Sequence, residues 1–95
     1  MRYEVYHALS PNFGMGEPKE FPLQYELVAV VECTGLEDVF EKTNHIDHAW
    51  TDNPEVVEQF IQSVRQRSTS VGDVVAEVGG KAFRCEGCGW KEISR

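Results

Sequence analysis

The sequence predicts an α+β fold, in which two helices pack on one small and mainly antiparallel β-sheet. Three observations lead to this prediction. The run Leu27–Val31 is apolar on both faces, as expected of a central strand. Two short apolar stretches flank Gly79-Gly80, which is typical of a β-hairpin. Between these strands, two segments repeat their apolar residues at helical spacing. Residues 1–95 are predicted to form a single domain with the order β-β-α-α-β-β, followed by a last strand or a tail.

The first two predicted strands are joined by a long loop. Residues Tyr3–Leu9 alternate between the two faces of a strand, and Ser10-Pro11 ends it. The loop, residues 10–24, contains three prolines and two glycines. A loop of this length in a small domain is either functional or mobile. The strand Tyr25–Cys33 follows, and its apolar run predicts a central place in the sheet.

Helix start signals occur at two places. Thr34 and Glu37 have the spacing of a capping box. Asn53 and Pro54 provide an N-cap and a proline at the first helical position. Trp50, which precedes this second helix, is predicted to be buried against it. The apolar stripe of the second helix would consist of Val56, Val57, Phe60, Ile61 and Val64.

The hairpin is predicted to have a two-residue turn at Gly79-Gly80, because type I′ and II′ turns need residues that adopt positive φ. This turn fixes the pairing of the two strands. Across the hairpin, Val78 would face Lys81, Ala76 would face Phe83 and Val74 would face Cys85. After the hairpin, residues 90–93 are predicted to add a last short strand or an anchoring tail.

The chain carries a net charge of −7 at pH 7. Contacts to phosphate groups need Lys or Arg, so this charge argues against non-specific binding to nucleic acid and to an anionic membrane. It permits a basic partner or mimicry of nucleic acid, and it also fits an acidic surface that gives only solubility. No apolar run reaches the roughly 20 residues of a membrane span, and no signal peptide opens the chain. We therefore expect a cytoplasmic protein whose cysteines are reduced.

Cys85 and Cys88 have zinc-knuckle spacing, but they supply two of the four ligands that zinc needs. The set could be completed by His45 and His48, or by Cys33 and His7. In the alternative, Cys85 is buried on the core face and Cys88 is incidental. A thioredoxin-like redox role is disfavoured, because the seven residues after Cys88 do not easily form the helix that lowers a thiol pKa. We expect that the protein folds without zinc and holds no cofactor.

A polar pocket is predicted where the connector between the helices meets the segment before the hairpin. A return of the chain onto the sheet would bring the two stretches together to bind a ligand or a partner's polar groups. The predicted binding residues are Asn44, His45, Asp47, Trp50, Thr51, Arg67, Ser68 and Ser70. In the alternative, Asn44 and Asn53 cap helices, Trp50 fills the core and Arg67 pairs with Asp47, because connectors commonly use polar side chains to satisfy backbone groups.

Catalytic residues are harder to identify. His45 or His48 could act as a base that Asp47 orients. No nucleophile lies in a recognisable context, and a constellation with defined roles is missing. We therefore expect a binding protein rather than an enzyme. Two other classes stay open: a small enzyme with a His, Asp and Arg pocket, and a small β domain that binds nucleic acid.

Residues 43–47, Trp50-Thr51 and residues 67–75 resemble the YodL-like family of small domains carried by phages, plasmids and integrated elements. The resemblance extends from about Leu36 to Ile93 and includes a glycine turn, an aromatic strand and a Gly-aromatic ending. Cys88 departs from the family pattern. The family brings no established activity with it. The resemblance implies a mobile-element accessory protein that binds and modulates a host protein, located in the host cytosol if a phage encodes it.

Overall fold

Six strands form one antiparallel sheet in the computed structural model, which describes residues 1–10, 16, 20–44, 49–60 and 67–94. The strands are β1 (Arg2–Ala8), β2 (Tyr25–Glu32), β3 (Val56–Gln59), β4 (Val74–Glu77), β5 (Ala82–Glu86) and β6 (Gly89–Ile93). Their order across the sheet is β3-β2-β1-β4-β5-β6. One helix, α1 (Leu36–Lys42), and a 3-10 turn (Trp50–Asp52) are the helical elements of the described residues. The prediction of an α+β fold with two packed helices is therefore wrong, because the domain is mainly β.

The second predicted helix is replaced by an edge strand. Residues Val56–Gln59 form β3, and the amide of Phe60 donates to the carbonyl of Val28 on β2. Adjacent β-branched residues lose side-chain freedom in a helix and suit a strand, so the pairing with β2 outweighs the helical spacing. Ile61 and Val64, the rest of the predicted stripe, lie outside the described residues.

The first predicted helix is present as α1, with a different N-terminal contact. Gly35 is the N-cap and makes no side-chain cap bond. The backbone N–H of Thr34 donates to Oδ2 of Asp38 at 2.9 Å, so Asp38 takes the place predicted for Glu37. Val39 is fully buried on the sheet side of the helix. The Glu37 side chain is thereby left for another contact.

The β4–β5 hairpin has a register one residue away from the predicted one. The amide of Gly80 donates to the carbonyl of Glu77 at 2.9 Å, and Gly79 has φ +74°, as in a type II turn. Three residues rather than two therefore connect the strands. Val75 faces Phe83, and Ala76 faces Ala82. A shift of one residue reverses the face of every side chain on β5 relative to β4.

The sheet is covered on both faces. One cluster of buried side chains includes Tyr3, Val5, Val31 and Val75, and it packs with Val39 of α1 and with Trp50. A second cluster includes Tyr25, Val74, Ala76 and Ala82. Trp50 is 1% exposed, so its predicted burial is confirmed, although it packs on the sheet rather than on a second helix.

The remaining strand predictions agree with the structure. β1 and β2 lie within one residue of the predicted bounds, and β6 is the last strand that the sequence allowed. Most of the predicted loop, residues 10–24, lies outside the described residues. Phe21, at its end, contacts Tyr6 edge to face with ring centroids 4.9 Å apart. The described residues contain no helix whose length and apolar character would let it cross a bilayer.

Candidate functional site

The structure brings together the two stretches that were predicted to form a polar pocket. Asn44 Nδ2 donates to the carbonyl of Thr69 at 3.0 Å, and Trp50 Nε1 donates to the carbonyl of Arg67 at 2.8 Å. Ser70 Oγ donates to the carbonyl of Ser68 at 3.2 Å. These side chains bond to the backbone of their own chain, as in the alternative in which connector residues satisfy backbone groups.

The predicted pocket contains three further residues. Thr51 lies half-buried on the 3-10 turn beside Trp50. His45 and Asp47 lie outside the described residues, and so does His48, so the proposed base and its orienter lie there too. The partner predicted for Arg67 was Asp47.

Arg67 pairs with Asp73, for which the turn chemistry of residues 70–73 indicates an acceptor of nearby amides but not this partner. The Asp73 side chain is 1% exposed and also accepts the backbone N–H groups of Ala8 at 3.0 Å and Ser70 at 2.8 Å. Four donors around one buried carboxylate satisfy it without water. Asp73 follows Gly72 in a turn, and this chemistry was the available signal for an acceptor at that place.

His7 completes the network beside Trp50. Its Nε2 lies 3.0 Å from Oγ1 of Thr69, and its ring lies edge to face with the ring of Trp50. Burial lowers the pKa of His7 to about 4, Asp73 opposes this shift and Arg67 adds to it. The imidazole is therefore neutral at pH 7. His7 and Thr69 are 2% and 0% exposed, so a substrate has no access to this hydroxyl–imidazole pair.

The polar groups of this network hydrogen-bond to one another and to the backbone of the protein. Within the described part of the chain, every buried side-chain nitrogen and oxygen has a hydrogen-bond partner. The arrangement fixes residues 67–73 against β1, and its polar atoms are used in doing so. It therefore supports the fold rather than an open binding site.

The structure also separates two of the residues considered as zinc ligands. Cys33 follows β2 and Cys85 lies on β5, so β1 and β4 stand between them. Three strand spacings alone separate the backbones of these two strands by roughly 14 Å. Sulfur ligands lie about 2.3 Å from zinc, so these two cannot share one ion. Among the described residues, no three His, Cys, Asp or Glu side chains gather closely enough to hold a metal.

A cleft of about 220 Å³ lies between α1 and the β5–β6 hairpin. We call it the aromatic cleft, because Phe40 of α1 and Trp90 of β6 line it with ring centroids 6.4 Å apart. The register of the hairpin places Cys85 opposite Trp90, so both side chains lie on the face that α1 covers. The other lining residues are Glu37, Val71, Glu86, Gly87 and Gly89.

The aromatic cleft is electronegative. Trp90 Nε1 donates to Oε1 of Glu37 at 3.0 Å, which holds this exposed carboxylate beside the indole ring. Burial raises the pKa of the Cys85 thiol to about 11, with further contributions from Asp73, Glu37 and Glu86. Among the described residues that line the cleft, none is Lys or Arg. The arrangement can hold an apolar or cationic group, and it would repel an anion.

Sequence reasoning missed the aromatic cleft. Glu37 and Phe40 are three positions apart on α1, and Trp90 lies in the Gly-aromatic ending noted in the sequence. Helical spacing indicates that the first two share a side of α1. Only the tertiary placement of α1 over β6 joins them to Trp90. Comparisons with protein-family models, with curated proteins and with solved structures give no match to this chain.

Proposed function

We propose that this protein is a small binding module that contacts a protein partner through the aromatic cleft. The cleft itself is the observation that carries the proposal. It combines two aromatic rings, a backbone made accessible by glycines and a surface carboxylate. Aromatic residues with a few polar groups are the usual content of recognition sites. The Arg67–Asp73 network, by contrast, uses its polar groups internally.

The biological setting belongs to the same proposal. The resemblance of residues 36–93 to the YodL-like family supports an accessory role in a phage, a plasmid or an integrated element. In that setting the partner would be a host protein whose activity the module changes. The net charge of −7 supports a partner with a basic surface and disfavours nucleic acid.

Gly87 offers a way to block the cleft without disturbing the fold. A Cβ at this position would meet no atom within 4 Å, and Gly87 is not among the glycines with positive φ. Gly87→Phe should therefore fill the mouth of the cleft. Gly35→Phe is the matched control, because a Cβ there is equally free, its φ of 173° is extended and Gly35 does not line the cleft.

The experiment is a quantitative capture of host proteins by the tagged wild-type protein and the two variants, after equal melting temperatures have been verified. We expect one host protein to be enriched by the wild type and by Gly35→Phe, and to be lost with Gly87→Phe. The dependence on the cleft is the supporting result, not the capture itself. Equal enrichment of every captured protein by a folded Gly87→Phe variant would overturn the proposal.

A further inference from the structure

We infer that the group received by the aromatic cleft is the guanidinium of an arginine side chain presented by the partner. This inference rests on the proposed binding function and specifies the chemistry of the partner. A single side chain fits the size of the site. The volume of about 220 Å³ is below the roughly 300 Å³ at which pockets for whole small molecules begin.

The charges around the cleft favour a cation. The described cations of α1 and of the β4–β5 hairpin are each paired with a carboxylate other than Glu37. Among the described residues, Glu37 has no cationic partner. Lys42 is 3.6 Å from Asp38, and Arg84 is 3.5 Å from Glu86. Lys81 is likewise 3.7 Å from Glu92. Glu37 is therefore the carboxylate of the cleft that an incoming cation can neutralise.

The aromatic rings favour arginine over lysine. A guanidinium is planar and weakly hydrated, so it stacks on an aromatic face while its N–H groups reach a carboxylate. Trp90 is half-buried in the cleft, and its N–H is already bonded to Glu37. That bond places the carboxylate at the edge of the indole ring. A cation lying over the ring can thus contact the π-system and the carboxylate together.

The two tryptophans provide a direct test in the intact protein. Both indole N–H groups are hydrogen-bonded, Trp90 to Glu37 in the cleft and Trp50 to the carbonyl of Arg67 in the core. A nitrogen–proton correlation spectrum should therefore show two indole signals from one chain. The Trp90 signal reports on the cleft, and the Trp50 signal is an internal control.

The probes are three short capped peptides that differ at one residue, which is arginine, lysine or uncharged citrulline. We expect the arginine peptide to shift the Trp90 signal while the Trp50 signal stays in place. The lysine peptide should bind more weakly, and the citrulline peptide should bind about two- to fivefold more weakly, because an exposed charge pair changes the affinity by up to about fivefold. Raising the salt concentration should weaken the binding of the arginine and lysine peptides and leave that of the uncharged citrulline peptide nearly unchanged.

Glu37→Gln tests the carboxylate, because glutamine keeps an oxygen for the Trp90 N–H and removes only the charge. It should weaken the binding of the arginine peptide about two- to fivefold. Glu58→Gln is the control, since Glu58 is exposed on β3 at the opposite edge of the sheet. An arginine peptide that leaves the Trp90 signal unmoved, or that binds no better than the citrulline peptide, would overturn the inference.

The two proposals can fail separately. Loss of the host protein with Gly87→Phe, together with no response of Trp90 to arginine, would retain the binding function and reject the arginine. Retention of the host protein by Gly87→Phe would reject the binding function at the cleft. An arginine-specific shift of Trp90 that Gly87→Phe abolishes would support both proposals at the same site.

Discussion

Arg67 donates hydrogen bonds to both carboxylate oxygens of Asp73, with Nη1 2.6 Å from Oδ2 and Nη2 2.8 Å from Oδ1. The two residues lie on either side of the turn that leads into β4. The Asp73 side chain is 1% exposed and that of Arg67 is 29% exposed, so the pair reaches from the interior to the surface. Bidentate pairs of this kind fix geometry as well as charge.

Removal of the cation from this pair should destabilise the protein strongly. Arg67→Met leaves a buried carboxylate without its counter-charge, and such a change costs about 3–5 kcal/mol. Adding Asp73→Asn to the same chain should recover part of this loss, because the uncompensated charge is gone. Urea unfolding of the two single variants and of the double variant measures the coupling. Lys81→Met is the control, and its exposed pair should contribute less than about 1 kcal/mol. If the losses of unfolding free energy in Arg67→Met and Asp73→Asn simply added up in the double variant, the expectation would be contradicted.

Five of the six strands that the structure describes could be predicted from the sequence, whereas β3 was mistaken for part of a helix, for a physical reason. Leu27–Val31 is apolar on both faces, and the strand around it lies one place from the edge, covered on both sides. In Val56–Gln59 the apolar spacing favours a helix, whereas the two adjacent β-branched residues suit a strand. The strand forms because its backbone can hydrogen-bond to the free edge of β2, and this edge exists only once the sheet has folded. Local sequence contains no record of such a partner.

The candidate site likewise contains some contacts that the sequence predicted and others that it did not. Sequence reasoning placed Asn44 and Trp50 near Arg67, and the structure agrees. It did not foresee the pair of Arg67 with Asp73, and the pair it predicted, with Asp47, lies outside the described residues. It also missed the aromatic cleft, which depends on where α1 lies above β6. Contacts between distant elements are fixed by packing, and packing is decided by the whole chain.

The stability of the protein should fall on mild acidification because of His7. Burial lowers its pKa to about 4 in the folded protein, while the unfolded chain keeps a value near 6.5. The unfolded state therefore binds the proton more strongly between these two values. The stability that the neutral, buried imidazole permits is fully present above pH 6.5, and it is lost as the pH falls from 6.5 towards 4. Between pH 7 and pH 5 the loss should be about 2 kcal/mol.

The matched variant for this prediction is His7→Gln, whose amide can still bond to Thr69. Carboxylates titrate in the same way in both proteins, so the difference between their unfolding free energies isolates the imidazole. Urea unfolding at pH 7 and pH 5 supplies the four values. An equal acid dependence of wild type and variant would show that His7 is not the group responsible.

Gly79 should be sensitive to substitution, although it is exposed. Its φ is +74°, a conformation in which a Cβ costs about 1–2 kcal/mol. Gly79→Ala should therefore lower the free energy of unfolding by about this amount. Gly87→Ala, in the next hairpin turn and without positive φ, should change it by less than about 0.5 kcal/mol. Chemical denaturation compares the two variants. Equal effects would contradict the type II turn at residues 77–80.

The three cysteines should differ sharply in their reaction with an alkylating reagent. Cys33 and Cys85 are 4% and 5% exposed, and burial is the main cause that raises their thiol pKa values to about 12 and about 11. The thiolate is the reactive form, so both should be protected in the native protein at pH 8. Cys88 is exposed and should be alkylated. Intact-mass and peptide analysis should therefore find one modified site, and three after denaturation.

The same labelling tests the expectation that the protein folds without zinc. Cys33 and Cys85 lie too far apart to share an ion, and the two packed faces of the sheet supply a core that needs no metal. EDTA should therefore leave both the melting temperature and the labelling pattern unchanged. Cys88→Ser, the control, should abolish native labelling. Protection of Cys88 that EDTA relieves, accompanied by stoichiometric zinc in the purified protein, would show instead that the Cys85–Cys88 pair binds the metal with ligands outside the described residues.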